Sequence, residues 1–308
     1  MSEKITVLMS VYKESLAQLK TSIESILNQS FSDFIYLIII DNPDNLEAID
    51  CIKSYSKIDQ RIKYVINEKN LGLALSLNRG IDSVTTKYIA RMDADDIALP
   101  DRLLKQYQYL ESNSDIDLLG TNIEYIDSKG TNVRKRGNIP ENVNQIKCAM
   151  KYINVLNHPT FMGKTEVFKK LKYRDLIYSQ DYDFTCRLLE LGYHVENINK
   201  YLLKYRLAEC VSDNKILKQY IIKKLIQESY RKKIINKVDL PEKFKKVYDE
   251  INHDVLIKQL QLWNRLLSNR HRGIRFRWLI DVCRLFIKSR YIRDDIVSLF
   301  IYNFKTRD

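Results

Sequence analysis

The 308-residue chain has little glycine (8), little proline (5), two tryptophans and five cysteines. So few glycines and prolines exclude a collagen-like repeat or a low-complexity linker, and 45% apolar residues exclude disorder. The cysteines, Cys51, Cys148, Cys186, Cys210 and Cys283, stand far apart with no C-x-x-C pair. That argues against a zinc or redox site and for small apolar residues in a reducing compartment. Long apolar runs are also missing: Phe34 to Ile40, the longest, is seven residues, against the roughly 18 of a membrane-spanning helix. The opening MSEKITVLMSVYKES has no sustained apolar segment and no small-residue cleavage site. These absences predict a cytoplasmic globular chain of one large or two smaller domains.

Charge is present but unevenly spread. The net charge is +12, and residues 1–210 carry 28 basic and 28 acidic side chains, whereas 211–308 carry 23 basic and 11 acidic. The whole excess therefore sits in the last third. There Arg270, Arg272, Arg275, Arg277, Arg284, Lys288, Arg290 and Arg293 surround Trp278, Leu279, Ile280, Leu285, Phe286 and Ile287. Such text suits an interfacial helix on an anionic membrane, and it equally describes a helix packed by its apolar face on the rest of the protein. No RNP, helix-turn-helix or zinc-finger signature and no regularly interleaved stacking aromatics accompany the charge, so no nucleic-acid partner is expected.

The first 130 residues alternate short β-like and helix-like stretches, as in an α/β domain with a mostly parallel sheet. Strands are predicted at Ile5–Val11, Phe34–Ile40, Ile62–Asn67 and Tyr88–Met92, and helices at Leu16–Leu27, Leu46–Tyr55, Leu73–Ser83 and from Pro100 to Leu110. Residues 140–210 are mixed, with a helix from Tyr182 to Leu191 and a strand at Tyr201–Arg206. After about 211 the apolar spacing is helical, including Val255–Leu267 and Trp278–Ile287. In open α/β sheets ligands sit beyond the carboxyl ends of the strands. That rule singles out Tyr12, Asp41, Asp93 and Asp95, each of which follows a predicted strand.

Asp93-Ala94-Asp95 is the strongest chemical signal. Two carboxylates one residue apart beyond a buried strand can hold a hard divalent cation, leaving positions for water and phosphate oxygens. At this point a resemblance appears. ITVLMSVYKE, LIIIDNPDN, NEKNLGLALSLNRGI and YIARMDADDIALPDRLLKQ resemble, in order and spacing, the motifs of family 2 glycosyltransferases of the GT-A fold, and HPTFMGKTEVF, SQDYDFTCRL and LLKYR resemble that family's acceptor-side motifs.

The resemblance implies a GT-A nucleotide-sugar-binding domain over 1–210, with a mostly parallel central sheet flanked by helices. Residues 1–120 would bind the nucleotide sugar and 121–210 would form the acceptor side, followed by a basic helical region over 211–308. It implies an inverting, Mn²⁺- or Mg²⁺-dependent transfer of a hexose or N-acetylhexosamine from a UDP-sugar to a glycan hydroxyl. The acceptor would be linked to a lipid such as undecaprenyl diphosphate, in surface-polysaccharide synthesis of the O-antigen, capsule or lipooligosaccharide type, peripheral to the inner face of the membrane. Ser10 and Tyr12 would lie at the base and Asp41 at the uracil edge. Asn70, Gly72 and Arg79 would line the donor pocket, Asp93 would lie near ribose and metal, Asp95 would bind the metal directly, and Asp181 would be the general base. His158, Asp183 and Arg206 would lie on the acceptor or diphosphate side. Asn42 departs from the family, which usually has a second Asp there, and Pro43-Asp44 replaces a Gly-Ser turn.

Bland roles compete with several of these. Asp181 suits a helix N-cap, Asp183 can pair with Arg187 at i, i+4, and Arg79 suits a helix surface. Two other functions compete as well. A sugar nucleotidyltransferase shares the α/β plan but would carry a Gly-rich phosphate loop after the first strand, where this chain reads SVYKES. A non-catalytic glycan- or membrane-binding relative would lack the carboxylates that are present at Asp93, Asp95 and Asp181.

Overall fold

The computed structural model describes residues 3–207, 212–269 and 292. Trp278–Ile287, Cys210, Cys283 and the basic residues from Arg270 to Arg290 and at Arg293 lie outside that set.

Four strands run parallel at the start of the chain: β1 (Ile5–Val11), β2 (Phe34–Ile40), β3 (Ile62–Ile66) and β4 (Tyr88–Asp93), in the order β3-β2-β1-β4. Helices α1 (Leu16–Leu27), α2 (Leu46–Ile58) and α3 (Leu73–Ser83) make the crossovers. β1 and β2 are buried almost throughout because both faces are covered, which explains their continuous rather than alternating apolar text. Ile5, Val7 and Met9 join α1 and α2 on one face, while Leu8, Leu37 and Ile39 join α3 on the other. The strand order reverses between β1 and β4, and the register sets Ser10 beside Asp93 at this switch point.

Beyond β4 the sheet becomes mixed, continuing through β8 (Met162–Lys164), β6 (Leu118–Ile126) and β9 (Val195–Arg206) to β5 (Ile97–Ala98), with β7 (Asn132–Lys135) hairpinned onto β6. The long β9 slips register against β6 around Asn122 and returns alongside β5. Its end, at Arg206, therefore reaches the turn that follows β4. Between these strands lie α4 (Arg102–Ser112), α5 (Val143–Ala149), a 3₁₀ turn (His158–Thr160), α6 (Thr165–Leu171) and α7 (Gln180–Glu190).

Helices α8 (Asp213–Arg231), α9 (Leu240–Glu250) and α10 (His253–Asn269) follow. Their Leu217, Ile221, Leu225, Leu256, Leu260 and Trp263 share one apolar cluster with α3, α6 and α7.

Two boundaries differ from expectation. Pro100 precedes α4 rather than opening it, since Asp101 takes the cap position. Asp181 lies inside the first turn of α7, because Ser179, in the left-handed region at φ 58°, is the N-cap residue. The N-cap alternative for Asp181 is thereby corrected. Among the described cysteines, Cys51 and Cys186 are buried and Cys148 is half-buried, all as free thiols.

Candidate functional site

The end of β2 is a closed polar knot. Asp41 is 2% exposed. Its Oδ1 accepts from Asn67 Nδ2 at 2.7 Å and Leu71 N at 2.8 Å, and its Oδ2 accepts from Gly72 N at 2.9 Å. Asn67, fully buried, also donates to Ser76 Oγ, and its Oδ1 accepts from Arg79 Nη1 at 2.6 Å. Gly72 begins α3 at φ 83°, a conformation that a side chain would strain, and its N–H is also shared with Asn70 Oδ1. Asp41 therefore shapes the Asn70–Gly72 turn. The uracil-edge role expected of it is corrected, because a buried carboxylate holding three N–H groups is not presented to a base. Arg79, exposed on α3, ties that helix to the end of β3 through Nη1, which donates to Asn67 Oδ1 and Ile66 O. Tyr12, at the end of β1, keeps 39% of its surface exposed, so its ring is free to stack, while Ser10 is 9% exposed beside Asp93.

The end of β4 is the opposite case. Asp93, Asp95 and Asp96 bring carboxylate oxygens within 4.8 Å of one another. Burial, reinforced by Asp93 and Glu14, pushes the Asp95 carboxyl up to about 7. Burial, with Asp93 and Asp95, holds Asp96 well above the usual carboxylate range. Asp96 Oδ1 accepts from Arg206 N at 2.7 Å, but its buried Oδ2 has no hydrogen-bond partner. An orphaned carboxylate oxygen beside two more carboxylates is the donor set of a hard divalent cation, so the residues fit the implied Mn²⁺ or Mg²⁺.

The turn is rigidly held. Ser22 Oγ donates to Asp93 O, Ser25 Oγ accepts from Ala98 N, and Arg102 Nη2 donates to Arg91 O at 2.5 Å. Arg206 Nε donates to Asp95 O at 2.7 Å, and its Nη1 donates to Asp127 O and Ser128 O. Arg206 thus closes the site by clamping the turn. The guanidinium expected at the diphosphate gives Nε and Nη1 to carbonyls.

On the other side stand His158, Tyr173 and Asp181. His158 Nε2 lies 2.9 Å from Tyr173 Oη, and burial, with Arg91 nearby, holds the imidazole well below its ordinary value. His158 is therefore neutral at pH 7. Asp181 Oδ2 accepts from Asn154 Nδ2 at 2.7 Å, and burial raises its carboxyl. Asp183, by contrast, is fully buried between Arg187 Nε at 2.8 Å and Arg174 Nη1 at 3.2 Å. The acceptor-side role expected of it is corrected: the Arg187 pair foreseen in the sequence is present, but it is interior rather than exposed. A cleft of about 550 Å³ opens between Asn70–Ala74 and Asp175–Gln180, walled by Pro241 and Phe244 of α9.

One residue joins the two sides and was not anticipated. Arg91, 1% exposed in β4, is ion-paired with Asp93 Oδ1 and leaves Nε and Nη2 without hydrogen-bond acceptors. It lies within electrostatic reach of Asp181, His158 and Tyr173. An arginine inside the apolar run YIARMD was its only signal in the sequence. Asn154 carried none.

A family model described as Glycosyl transferase family 2 matches residues 6–172. The chain belongs to that family. It is 43% identical to an uncharacterised glycosyltransferase of Methanocaldococcus jannaschii, over 66% of this chain and 70% of that one. It is 34% identical to the O-antigen biosynthesis glycosyltransferase WbnJ of Escherichia coli, over 71% of this chain and 85% of the relative. S. aureus TarS 1-349 solved with UDP-GlcNAc is similar in structure, with TM-score 0.59 and 13% identity over 98% of this chain and 92% of that one. The fold of this glycosyltransferase is therefore GT-A, with the acidic turn inside the matched residues and Asp181 beyond them.

Proposed function

We propose that this glycosyltransferase is inverting and divalent-cation-dependent, and that it moves a hexose or N-acetylhexosamine from a UDP-sugar to a hydroxyl of a glycan acceptor. The observation that carries this is the convergence of Asp93, Asp95 and Asp96 at the β1/β4 switch point, with one buried carboxylate oxygen left unpartnered. A cation held there supplies charge to the leaving diphosphate. Tyr12 offers its exposed ring to the base, and a turn fixed by Asp41 keeps the backbone of Asn70–Gly72 at the donor side.

Asp181 takes the proton of the acceptor hydroxyl as that oxygen bonds to the anomeric carbon. The anomeric carbon–oxygen bond to the diphosphate breaks on the opposite face, so UDP leaves with the bonding pair and the configuration inverts. The raised basicity of the half-buried Asp181 suits it to that proton, and its carboxyl has Arg91 and Tyr205 as charged or polar neighbours shared with the acidic turn.

WbnJ's role in O-antigen biosynthesis and the bound UDP-GlcNAc of TarS support polysaccharide synthesis from a nucleotide sugar. A lipid-linked acceptor fits the basic last third, since its excess of Lys and Arg draws the enzyme to an anionic inner membrane face. No helix among the described residues is long and apolar enough to cross a membrane. We assign residues 1–210 to the catalytic domain and 211–308 to a basic C-terminal region, with α9 contributing a wall of the cleft. The test is release of UDP from UDP-glucose, UDP-galactose and UDP-GlcNAc with parent and Asp181→Asn enzyme. Loss of turnover with UDP binding retained is expected, and parental turnover in the variant would remove Asp181 as base.

A further inference from the structure

We propose that Asn154 is the positioning residue for Asp181, holding one carboxylate oxygen so that the other alone meets the acceptor hydroxyl. The inference rests on Asp181 being the base. Asn154 Nδ2 donates to Asp181 Oδ2 at 2.7 Å, while its own Oδ1 accepts from Leu156 N at 3.2 Å. The second bond fixes the sense of the amide. Flipped, it would set NH₂ against the Leu156 N–H and oxygen against a carboxylate.

The segment carrying Asn154 is tied to the helix carrying Asp181. Tyr182 Oη, one residue on from Asp181, donates to Met150 O at 2.6 Å, and Gln227 of α8 donates to Tyr152 O. From the other direction Arg136 donates to Asn154 O at 3.4 Å and to Asn157 Oδ1. Donor and acceptor of the Asn154–Asp181 bond therefore sit on one frame, which preserves the bond while substrates come and go. The left-handed backbone of Ser179 starts α7 without a side-chain cap, so Asp181 enters the first turn with its carboxylate available to Asn154.

A neutral amide suits this task. A guanidinium at the same place would hold the carboxylate but neutralise much of its basicity, whereas an amide orients it and leaves it able to take a proton. The charged and titratable groups around Asp181 are Arg91 from β4, Tyr173 ahead of α7, Tyr205 from β9 and Cys186 on its own helix. Burial raises the Asp181 carboxyl, hydrogen bonds from the Tyr182 backbone N–H and from Asn154 lower it, and Asn154 is the side chain that donates to it.

The experiment compares Asn154→Ala, Asn154→Ser and Asn154→Asp with the parent, with Asp181→Asn alongside, by UDP release from the three UDP-hexoses between pH 5 and 9. The alanine variant should lose about tenfold to a hundredfold in kcat with little change in KM for the donor. The acidic limb of its kcat profile should rise by about half a pH unit or more, because the base loses a bond to its charged form. Serine should restore part of both effects, and aspartate should move the limb further up by like charge. An alanine variant with the parental kcat and acidic limb overturns the proposal, as does a loss of kcat with an unmoved limb and no rescue by serine. Should Asp181→Asn itself turn over normally, the base assignment falls instead. Carboxyl ¹³C titration, with Asp181→Asn assigning the signal, reads the same shift without substrate, and an unshifted midpoint in Asn154→Ala contradicts the proposal.

Discussion

The ends of β2 and β4 look alike in the sequence, each an apolar strand running into aspartate, yet the structure gives them opposite electrostatics. Asp41 is saturated by N–H donors from its own neighbourhood. Asp93, Asp95 and Asp96 crowd together, and Asp96 keeps an unpartnered oxygen. A carboxylate paired inside the protein stabilises a turn, whereas a group of carboxylates short of partners is unstable until something positive arrives. The first serves as scaffold, and the second is the site proposed for the cation. Charge shortage distinguishes them, and position after a strand does not.

That contrast is sharpest in activity. Asp95→Ala should cut transfer by about 10³-fold, or about 4 kcal/mol of transition-state stabilisation, with folding intact by circular dichroism. Activity insensitive to EDTA in the parent would remove the contrast. Stability should show the mirror image. Asp41→Ala takes the acceptor from Asn67 Nδ2 and Leu71 N, while Gly72 N keeps Asn70 Oδ1, and should cost about 2 to 3 kcal/mol in urea unfolding, while Asp95→Asn should cost nothing or stabilise. Asp183→Ala, which strands the buried Arg187 and takes the carboxylate from the partly exposed Arg174, should cost about 3 kcal/mol.

A pH titration of stability separates the ends further. The folded Asp95 carboxyl, at about 7, lies above its unfolded value near 3.8. Its contribution is therefore fully present below pH 4 and is lost as pH rises through 7. Metal-free protein should lose stability across pH 4–7, and Asp95→Asn should flatten that slope in thermal melts. The smallest effect belongs to Tyr12, where alanine should weaken UDP binding by about tenfold, the worth of one stacked base, and phenylalanine should not.

Much of the catalytic half was legible because its signals are local. Continuous apolar runs announced buried parallel strands, and β1, β2, α1 and α3 appear at the bounds expected. The Asp-Ala-Asp turn was legible because its chemistry lies within four residues. What stayed hidden depends on partners distant in sequence. Nothing near Asp41 says that Leu71 and Gly72 will saturate it, and nothing near Arg206 says that its guanidinium will find carbonyls at Asp95 and Asp127. The strands β5 and β8 were missed for the same reason, being two and three residues long and paired across long separations. Arg91 pairs with Asp93 two residues on, yet its burial under the site is a property of the closed sheet alone.

Calorimetry of UDP binding to the parent and to Asp95→Asn, each with Mn²⁺ and with EDTA, tests the central claim most directly. The claim predicts UDP binding that strengthens with Mn²⁺ in the parent and loses that gain in Asp95→Asn. Equal affinity in all four titrations would contradict it.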